Sequence, residues 1–340
     1  MVRIGGVSLS SPFVAAPIAG ITDSPFRRLV KHQGGCGLVV TEMVSSEGLV
    51  RGGGRTLEFA QYTQGERPIA IQIFGGDPVR MAMAAQIVAG MGADIVDVNM
   101  GCPVPKVAGH GAGCRLMREP DRAAAVVAAM AKAVSIPVTV KMRAGWNEQT
   151  INAPALAKMV EDAGAAAVCV HGRTAAQSYG GRSDWTLIER VAESVSIPVF
   201  GSGDCVEPGE IVERMRSGNV AGVLVGRGLL RNPWVIAQAS DLVEGRAPRV
   251  VTGADRAEFL RDYVGLLLDD GIGGAEGFRV IRKLRALIAW FSKGLESGSH
   301  LRSAINAAET IPQALEIIDG FFVPAVERLP SGLGRNRLFT

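Results

Sequence analysis

Eight short, continuously apolar runs punctuate the first two-thirds of the chain, at residues 13–16, 38–41, 69–73, 94–98, 137–140, 166–170, 198–200 and 221–225. Apolar on both faces, they read as parallel strands covered on two sides. Helical patterns separate most of them, at 77–91, 120–134, 153–163, 185–195 and 207–217. The junctions repeat. Ala133-Val-Ser-Ile-Pro-Val138 and Ser194-Val-Ser-Ile-Pro-Val199 both lead from a helix end into a strand. Gly92, Gly164 and Asn219 each stand where a helix C-cap precedes a buried strand. Eight βα units in about 235 residues predict an α/β fold, a (β/α)8 TIM barrel. A doubly wound parallel sheet is the alternative.

The pattern changes after residue 245. Residues 245–252 contain Pro248 and read as a linker. Helical runs follow at 254–270, 275–293, 300–309 and 312–322, with no strand signal. The barrel is therefore expected to be followed by a small C-terminal helical bundle. The expected domains are 1–245, a catalytic barrel, and 251–330, a helical domain, with 331–340 as a loose tail.

Composition narrows the class. The chain has 340 residues, 47% hydrophobic and 20% charged, which is ordinary for a globular protein and excludes a disordered one. The richest apolar stretch, 123–140, is broken by Lys132, Ser135 and Pro137, so no membrane span is expected and a cytoplasmic location is. The five cysteines, Cys36, Cys102, Cys114, Cys169 and Cys205, are odd in number and form no CxxC pair. Neither a disulfide nor a metal site is expected. The net charge of +3 does not by itself announce a nucleic-acid binder.

In a barrel the chemistry sits at the C-terminal strand ends. Polar residues gather there: Pro17-Ile-Ala-Gly-Ile-Thr-Asp23, Glu42-Met43, Gln72, Asn99-Met-Gly-Cys-Pro103, Lys141-Met-Arg143, His171-Gly-Arg-Thr174, Gly201-Ser-Gly-Asp204 and Gly226-Arg227. The last two ends suit a phosphate, with glycine backbone and the Arg227 charge, or they are merely tight turns. Lys141 and Arg143 face a ligand anion or an electron-rich ring, or are paired structurally. His171 is a functional or a satisfied structural residue. The Gln72 amide could hydrogen-bond a planar ring. Cys102, between Gly101 and Pro103, sits in a rigid turn and is the sharpest candidate. Cys169 reads as core, and Gly109–Gly113 as a flap carrying Cys114.

Together these motifs, with Thr22-Asp23 and Pro25-Phe-Arg27, resemble the tRNA-dihydrouridine synthases, most closely their bacterial B-type branch. The resemblance implies an FMN-binding barrel followed by a helical tRNA-binding domain, with NADPH as electron donor and no obligate protein partner. It implies reduction of the C5–C6 bond of a D-loop uridine, with hydride passing from flavin N5 to C6 and a proton from Cys102 to C5. Pro17, Ile18 and Ala19 would line the flavin. Gln72, Lys141 and His171 would contact it, and Ser202, Gly203, Asp204, Gly226 and Arg227 would hold its phosphate end. Asn99, Arg143 and Arg173 would meet the substrate. Ser202 stands where the family usually has Asn; a Ser can still donate one hydrogen bond, so a weakened side-chain contact and an intact backbone cradle are expected.

The helical domain has 11 basic and 11 acidic residues from 251 to 340. Arg279, Arg282 and Lys283 nevertheless fall on one helix face and could follow a phosphate backbone, or form a solvated face. The rival readings are an FMN-barrel oxidoreductase acting on a free pyrimidine, similar to dihydroorotate dehydrogenase, and an RNA-binding protein with a vestigial flavin site.

Overall fold

The computed structural model describes residues 1–109, 111–271 and 277–323. A short antiparallel hairpin, β1 (Val2–Ile4) and β2 (Val7–Leu9), opens the chain. Nine parallel strands follow: β3 (Phe13–Ala15), β4 (Leu38–Val40), β5 (Val44–Ser45), β6 (Ile69–Phe74), β7 (Ile95–Met100), β8 (Val138–Arg143), β9 (Ala167–His171), β10 (Val199–Ser202) and β11 (Gly222–Val225). Eight of them close into a ring. Neighbours pair in sequence from β6 to β11, β11 pairs with β3 and β3 with β4, and β4 returns to β6 through Val39↔Ile69 and Val40↔Ala70. The two-residue β5 only extends the pairing of β6. The fold is a (β/α)8 barrel with a helical C-terminal region, as the apolar runs predicted.

Around the ring run α1 (Ser24–Gln33), the short α2 (Ser46–Val50) and α3 (Gly54–Ala60), and α4 (Pro78–Gly90). Next come the one-turn α5 (Pro105–Ala108), then α6 (Pro120–Ala133), α7 (Ala153–Asp162), α8 (Trp185–Ser194), α9 (Pro208–Ser217), α10 (Arg227–Arg231) and α11 (Val235–Val243). Starts are marked locally. Asp23, Asp77 and Asp184 cap α1, α4 and α8 by accepting from backbone N–H groups three residues on. Gly92 and Gly164 take positive φ, and so does Asn219, at the turns that feed β7, β9 and β11.

The strands look uniformly apolar in sequence, yet a two-residue period runs through them. Outward residues such as Ile69, Ile71, Val96, Val98, Val138 and Val140 are buried against helices. Inward residues change character along each strand. Ile95, Ala70, Ala167, Phe200 and Leu224 build an apolar core deep in the barrel. Gln72, Asp97, Asn99, Thr139, Lys141 and His171 come later on the same inward faces. A cavity of about 30 Å³ lies where the two zones meet, lined by Asp97, Thr139, Lys141, Cys169 and Phe200 among others. Such a void holds roughly one or two waters, so it is the floor of a site and no chamber for a large ligand.

The contact pattern divides the chain into two compact units, residues 1–229 with 233–248, and 230–232 with 249–340. The second unit contains α12 (Gly253–Asp269), α13 (Phe278–Phe291), α14 (Gly298–Ala307) and α15 (Ile311–Phe322). Phe259 stacks on Phe291 at 5.9 Å, and Phe322 meets Phe291 edge-on at 6.1 Å, which forms its core. The expected start of its second helix at 275, and the expected tail at 331–340, lie outside the described residues. Among the described residues, no helix is long and apolar enough to cross a membrane.

Candidate active site at the barrel mouth

Strand register assembles the site. Gln72 lies opposite Asp97, Asn99 opposite Lys141, Arg143 opposite His171, and Ser202 opposite the same histidine. A continuous hydrogen-bonded row results. Thr139 Oγ1 donates to Asp97 Oδ1 at 2.6 Å, and Gln72 Nε2 donates to Asp97 Oδ2 at 2.7 Å. Asn99 Nδ2 donates to Gln72 Oε1 at 2.7 Å. Asn99 Oδ1 then accepts from the backbone N–H groups of Gly101 and Cys102, at 3.1 and 2.9 Å. Burial pushes the Asp97 carboxyl up to about 6, against the opposing pull of Thr139, Gln72 and Lys141. Asp97 and Thr139 were not singled out from the sequence. Their signal was the two-residue period hidden in the strands.

Cys102 is the partly exposed thiol. Cys36, Cys114, Cys169 and Cys205 are all buried. Burial pushes the thiols of Cys169 and Cys205 up to about 12 and also raises that of Cys114. The backbone N–H of Cys114 donates to Cys102 O at 3.0 Å, so the turn Gly113–Arg118 closes directly onto the Cys102 backbone. The flap expectation included residue 110, which lies outside the described residues.

Three substrate expectations change. Arg143 is 3% exposed. Its guanidinium donates to the carbonyls of Gly101 at 2.7 Å, Thr174 at 3.0 Å and Ser178 at 2.8 Å. Arg173 is likewise buried, donating to both oxygens of Asp204 and to Gly180 O and Gly181 O. Asn99 is engaged as described above. These groups tie loops together: Arg173 and Asn99 are met by backbone groups and by Asp204, His171 and Gln72, and Arg143 commits Nε and Nη1 to three carbonyls. Ser202 is also engaged within the chain. Its hydroxyl donates to Leu224 O at 3.0 Å across to β11, so its proton is committed.

The phosphate-end residues come together in a mixed way. Gly203 has φ +114, and a Cβ there would fall 2.4 Å from Ser183 Oγ and 2.8 Å from His171 Cδ2, so only glycine fits. Burial acts to raise the Asp204 carboxyl, but the Ser183 N–H, Arg173 and Arg227 outweigh it and hold it below the usual range. An ionised Asp204 thus serves as counter-ion to two arginines, and its carboxylate is not aimed at an anion. Arg227 keeps a third of its side chain exposed, 3.5 Å from Asp204 and stacked over Tyr179 at 5.6 Å. A Cβ at Gly226 would make ordinary contact with Ala16 Cβ at 3.6 Å and Ile18 Cδ1 at 3.7 Å. Pro17 borders the cavity beside Lys141, while Ala19 is exposed.

His171 is held neutral. Burial, then the charges of Lys141, Arg143, Arg173 and Arg227, lower it to about 2. Arg173 Nη1 stands 3.3 Å from His171 Nε2 and can only donate, so Nε2 accepts and Nδ1 carries the hydrogen. The two shifts oppose each other in acid. Unfolding releases a proton from Asp97 between pH 3.8 and about 6, so its contribution falls as pH rises. Unfolding lets His171 take up a proton between about 2 and 6.5, so its contribution falls as pH drops. Over pH 4–6 the two contributions pull in opposite directions. His171→Gln removes the His171 contribution and leaves that of Asp97, so its stability relative to wild type is expected to rise as pH falls from 6 to 4. Urea midpoints at pH 4, 5 and 6 check this; an unchanged pH profile would contradict it.

Polar strand ends gathered at the mouth of a closed barrel define a barrel enzyme site. The sequence model of the family described as dihydrouridine synthase matches residues 14–325. A probable tRNA-dihydrouridine synthase of Rickettsia conorii is 37% identical over 96% of this chain and 98% of its own length. One of Rhodobacter capsulatus is 37% identical over 94% of this chain and 98% of its own. The tRNA-dihydrouridine synthase B of Xanthomonas campestris pv. campestris is 33% identical over 97% and 98%. In fold, the chain is similar to histamine dehydrogenase from Rhizobium, with a TM-score of 0.54 at 14% identity, covering 78% of this chain and 50% of that one. The chain belongs to the dihydrouridine synthase family.

Proposed function

We propose that this chain is a tRNA-dihydrouridine synthase, reducing the C5–C6 bond of a D-loop uridine with FMN as resident cofactor and NADPH as electron donor, in the cytoplasm. The observation that carries the reading is the placement of Cys102, the one partly exposed thiol among five cysteines, on a turn pinned over the ends of β7 and β8.

The residues present fit a planar, phosphate-bearing cofactor. Gln72 keeps a second amide hydrogen, neutral His171 offers Nδ1–H, and half-buried Lys141 adds charge at the end of β8. Side-chain-free Gly203 and Gly226 and the exposed part of Arg227 suit its phosphate. When bound, the flavin supplies hydride to uridine C6. Reduction at C6 leaves negative charge over C5 and its carbonyl, and Cys102 holds the proton that C5 takes up. His171, neutral at pH 7, cannot be that acid; buried Cys114 is shielded from it. Lys141 favours the negative charge that develops nearby. Arg143 and Arg173 hold the loops of β7, β9 and β10 against one another, which keeps the mouth preorganised.

The test is direct. FMN-loaded protein, NADPH and tRNA lacking dihydrouridine should yield dihydrouridine by mass spectrometry of nuclease fragments. A yellow protein that reduces free pyrimidines and ignores tRNA would overturn the tRNA assignment.

The helical unit is proposed to carry phosphate contacts. On α13, Val280, Ile281, Leu284, Leu287, Ile288 and Phe291 are buried, and Arg279 and Arg282 are exposed on the opposite side with half-buried Lys283 beside them. Arg285 does not join them, because it donates to Ile305 O and Ala308 O of its own unit. Arg282→Glu with Lys283→Glu is expected to weaken tRNA binding about tenfold or more and to lower the salt slope by roughly one to two contacts. Filter binding across a salt series measures both. Unaltered binding would return this face to a solvated one.

A further inference from the structure

The row from Thr139 to Cys102 has a direction. The N–H groups of Gly101 and Cys102 can only donate, so Asn99 must present Oδ1 to them. Its Nδ2 must then donate, which obliges Gln72 to present Oε1. Gln72 Nε2 must donate in turn, and Asp97 Oδ2 accepts it. Thr139 arrives from the other side and also donates to Asp97. Asp97 is the acceptor on which the row ends. It is 6% exposed, and the proposed chemistry does not use it directly. A neutral apolar side chain at this depth would avoid the burial cost that raises its carboxyl, so its presence calls for a role.

We propose that Asp97 is a positioning residue for Cys102: it fixes the amide orientations of Gln72 and Asn99, and Asn99 fixes the backbone that carries the thiol. The inference rests on the reading of Cys102 as the proton donor. It goes beyond it by assigning the accuracy of proton delivery to a group three hydrogen bonds away. Without the Asp97 acceptor, Gln72 Nε2 loses its partner and the Gln72 amide is free to turn over. Asn99 would then face a donor where it now finds an acceptor, and its hold on the turn would slacken. Asparagine can replace the carboxylate here. Its Oδ1 can accept from Gln72, and its Nδ2 can turn to Thr139, whose hydroxyl can also accept.

The test compares wild type, Asp97→Leu, Asp97→Asn and Cys102→Ala as FMN-loaded full-length proteins at pH 8. Dihydrouridine formation on tRNA is measured in single turnover, alongside bound flavin, tRNA affinity and the rate of Cys102 alkylation by iodoacetamide. Asp97→Leu is expected to bind tRNA normally, to hold flavin less tightly because the Gln72 amide is freed, and, at saturating FMN, to form product about 10²-fold more slowly, the size expected when a catalytic group is misplaced by about 1 Å. Its Cys102 alkylation rate should differ from wild type, a readout that a purely structural role would leave alone. Asp97→Asn is expected to stay within about threefold of wild type, since the acceptor survives. A folded Asp97→Leu protein with the wild-type rate overturns the proposal. So does Asp97→Asn slowed more than tenfold, because the role would then belong to the charge and not to orientation. Should Asp97→Leu not fold, the asparagine variant decides alone by the same limits. If Cys102→Ala itself keeps full product formation, the proton-donor reading has failed, which is a distinct result.

Discussion

Cys102→Ala is expected to retain its flavin, its oxidation of NADPH and its affinity for tRNA, and to lose dihydrouridine formation by about 10²–10⁴-fold, the range a positioned general acid supplies. The acid must stand at the mouth with a transferable proton, and Cys102 is the partly exposed thiol there. His171 fails because burial and four nearby cations keep it unprotonated. Cys114 is 1% exposed, its thiol raised by burial. Single-turnover reoxidation of reduced flavin by tRNA is the measurement. Cys114→Ala is the control and should keep most activity. Equal rates and equal product in wild type and Cys102→Ala would remove Cys102 from the mechanism.

The architecture was legible because its signals are local. Each parallel strand is an uninterrupted apolar run, and turns at Gly92, Gly164 and Asn219 need left-handed backbone that few residues supply. The N-terminal hairpin was missed, since two three-residue strands leave too little pattern to read. So were α10 and α11, a five-residue and a nine-residue helix separated at Asn232-Pro233, too short to show a clear helical period. At the site, the strand-end rule found the right positions but not the roles. Arg143 and Arg173 look like anion receptors in sequence. Only the folded loops show that backbone carbonyls and Asp204 take their donors. Ser202 is similar: whether a hydroxyl points at a ligand or at Leu224 O is a matter of strand register. Asp97 was hidden for a related reason. In Asp-Ile-Val-Asp-Val98 it sits inside an apolar run, and its inward direction follows from a register that residue types do not reveal.

Arg27→Met is expected to destabilise the barrel by about 3–5 kcal/mol, as when one partner of a buried ion pair is removed. Arg27 and Glu66 are 2% and 0% exposed, with Nε 2.6 Å from Oε2. Methionine fills much of the volume, so the loss comes from the polar groups left behind. Glu66 would keep Ser24 Oγ at 2.6 Å and the Thr63 N–H at 2.8 Å, but would lose the Arg27 guanidinium at zero exposure. The carbonyls of Thr22 and Gln61 would each lose a donor, now at 2.8 and 2.9 Å. The Thr22 contact reaches the site. Thr22 Oγ1 accepts from Ile18 N–H at 2.9 Å, so Arg27 anchors the loop that carries Pro17, Ile18 and Ala19. Flavin affinity should therefore fall together with stability. Arg27→Met with Glu66→Leu should recover part of the stability, because no buried charge is then left unpaired, while flavin affinity stays low because Thr22 O still lacks its donor. Urea titration with and without added FMN separates the two effects. A single variant within 1 kcal/mol of wild type, with normal flavin affinity, would show that this ion pair neither holds the barrel nor shapes its mouth.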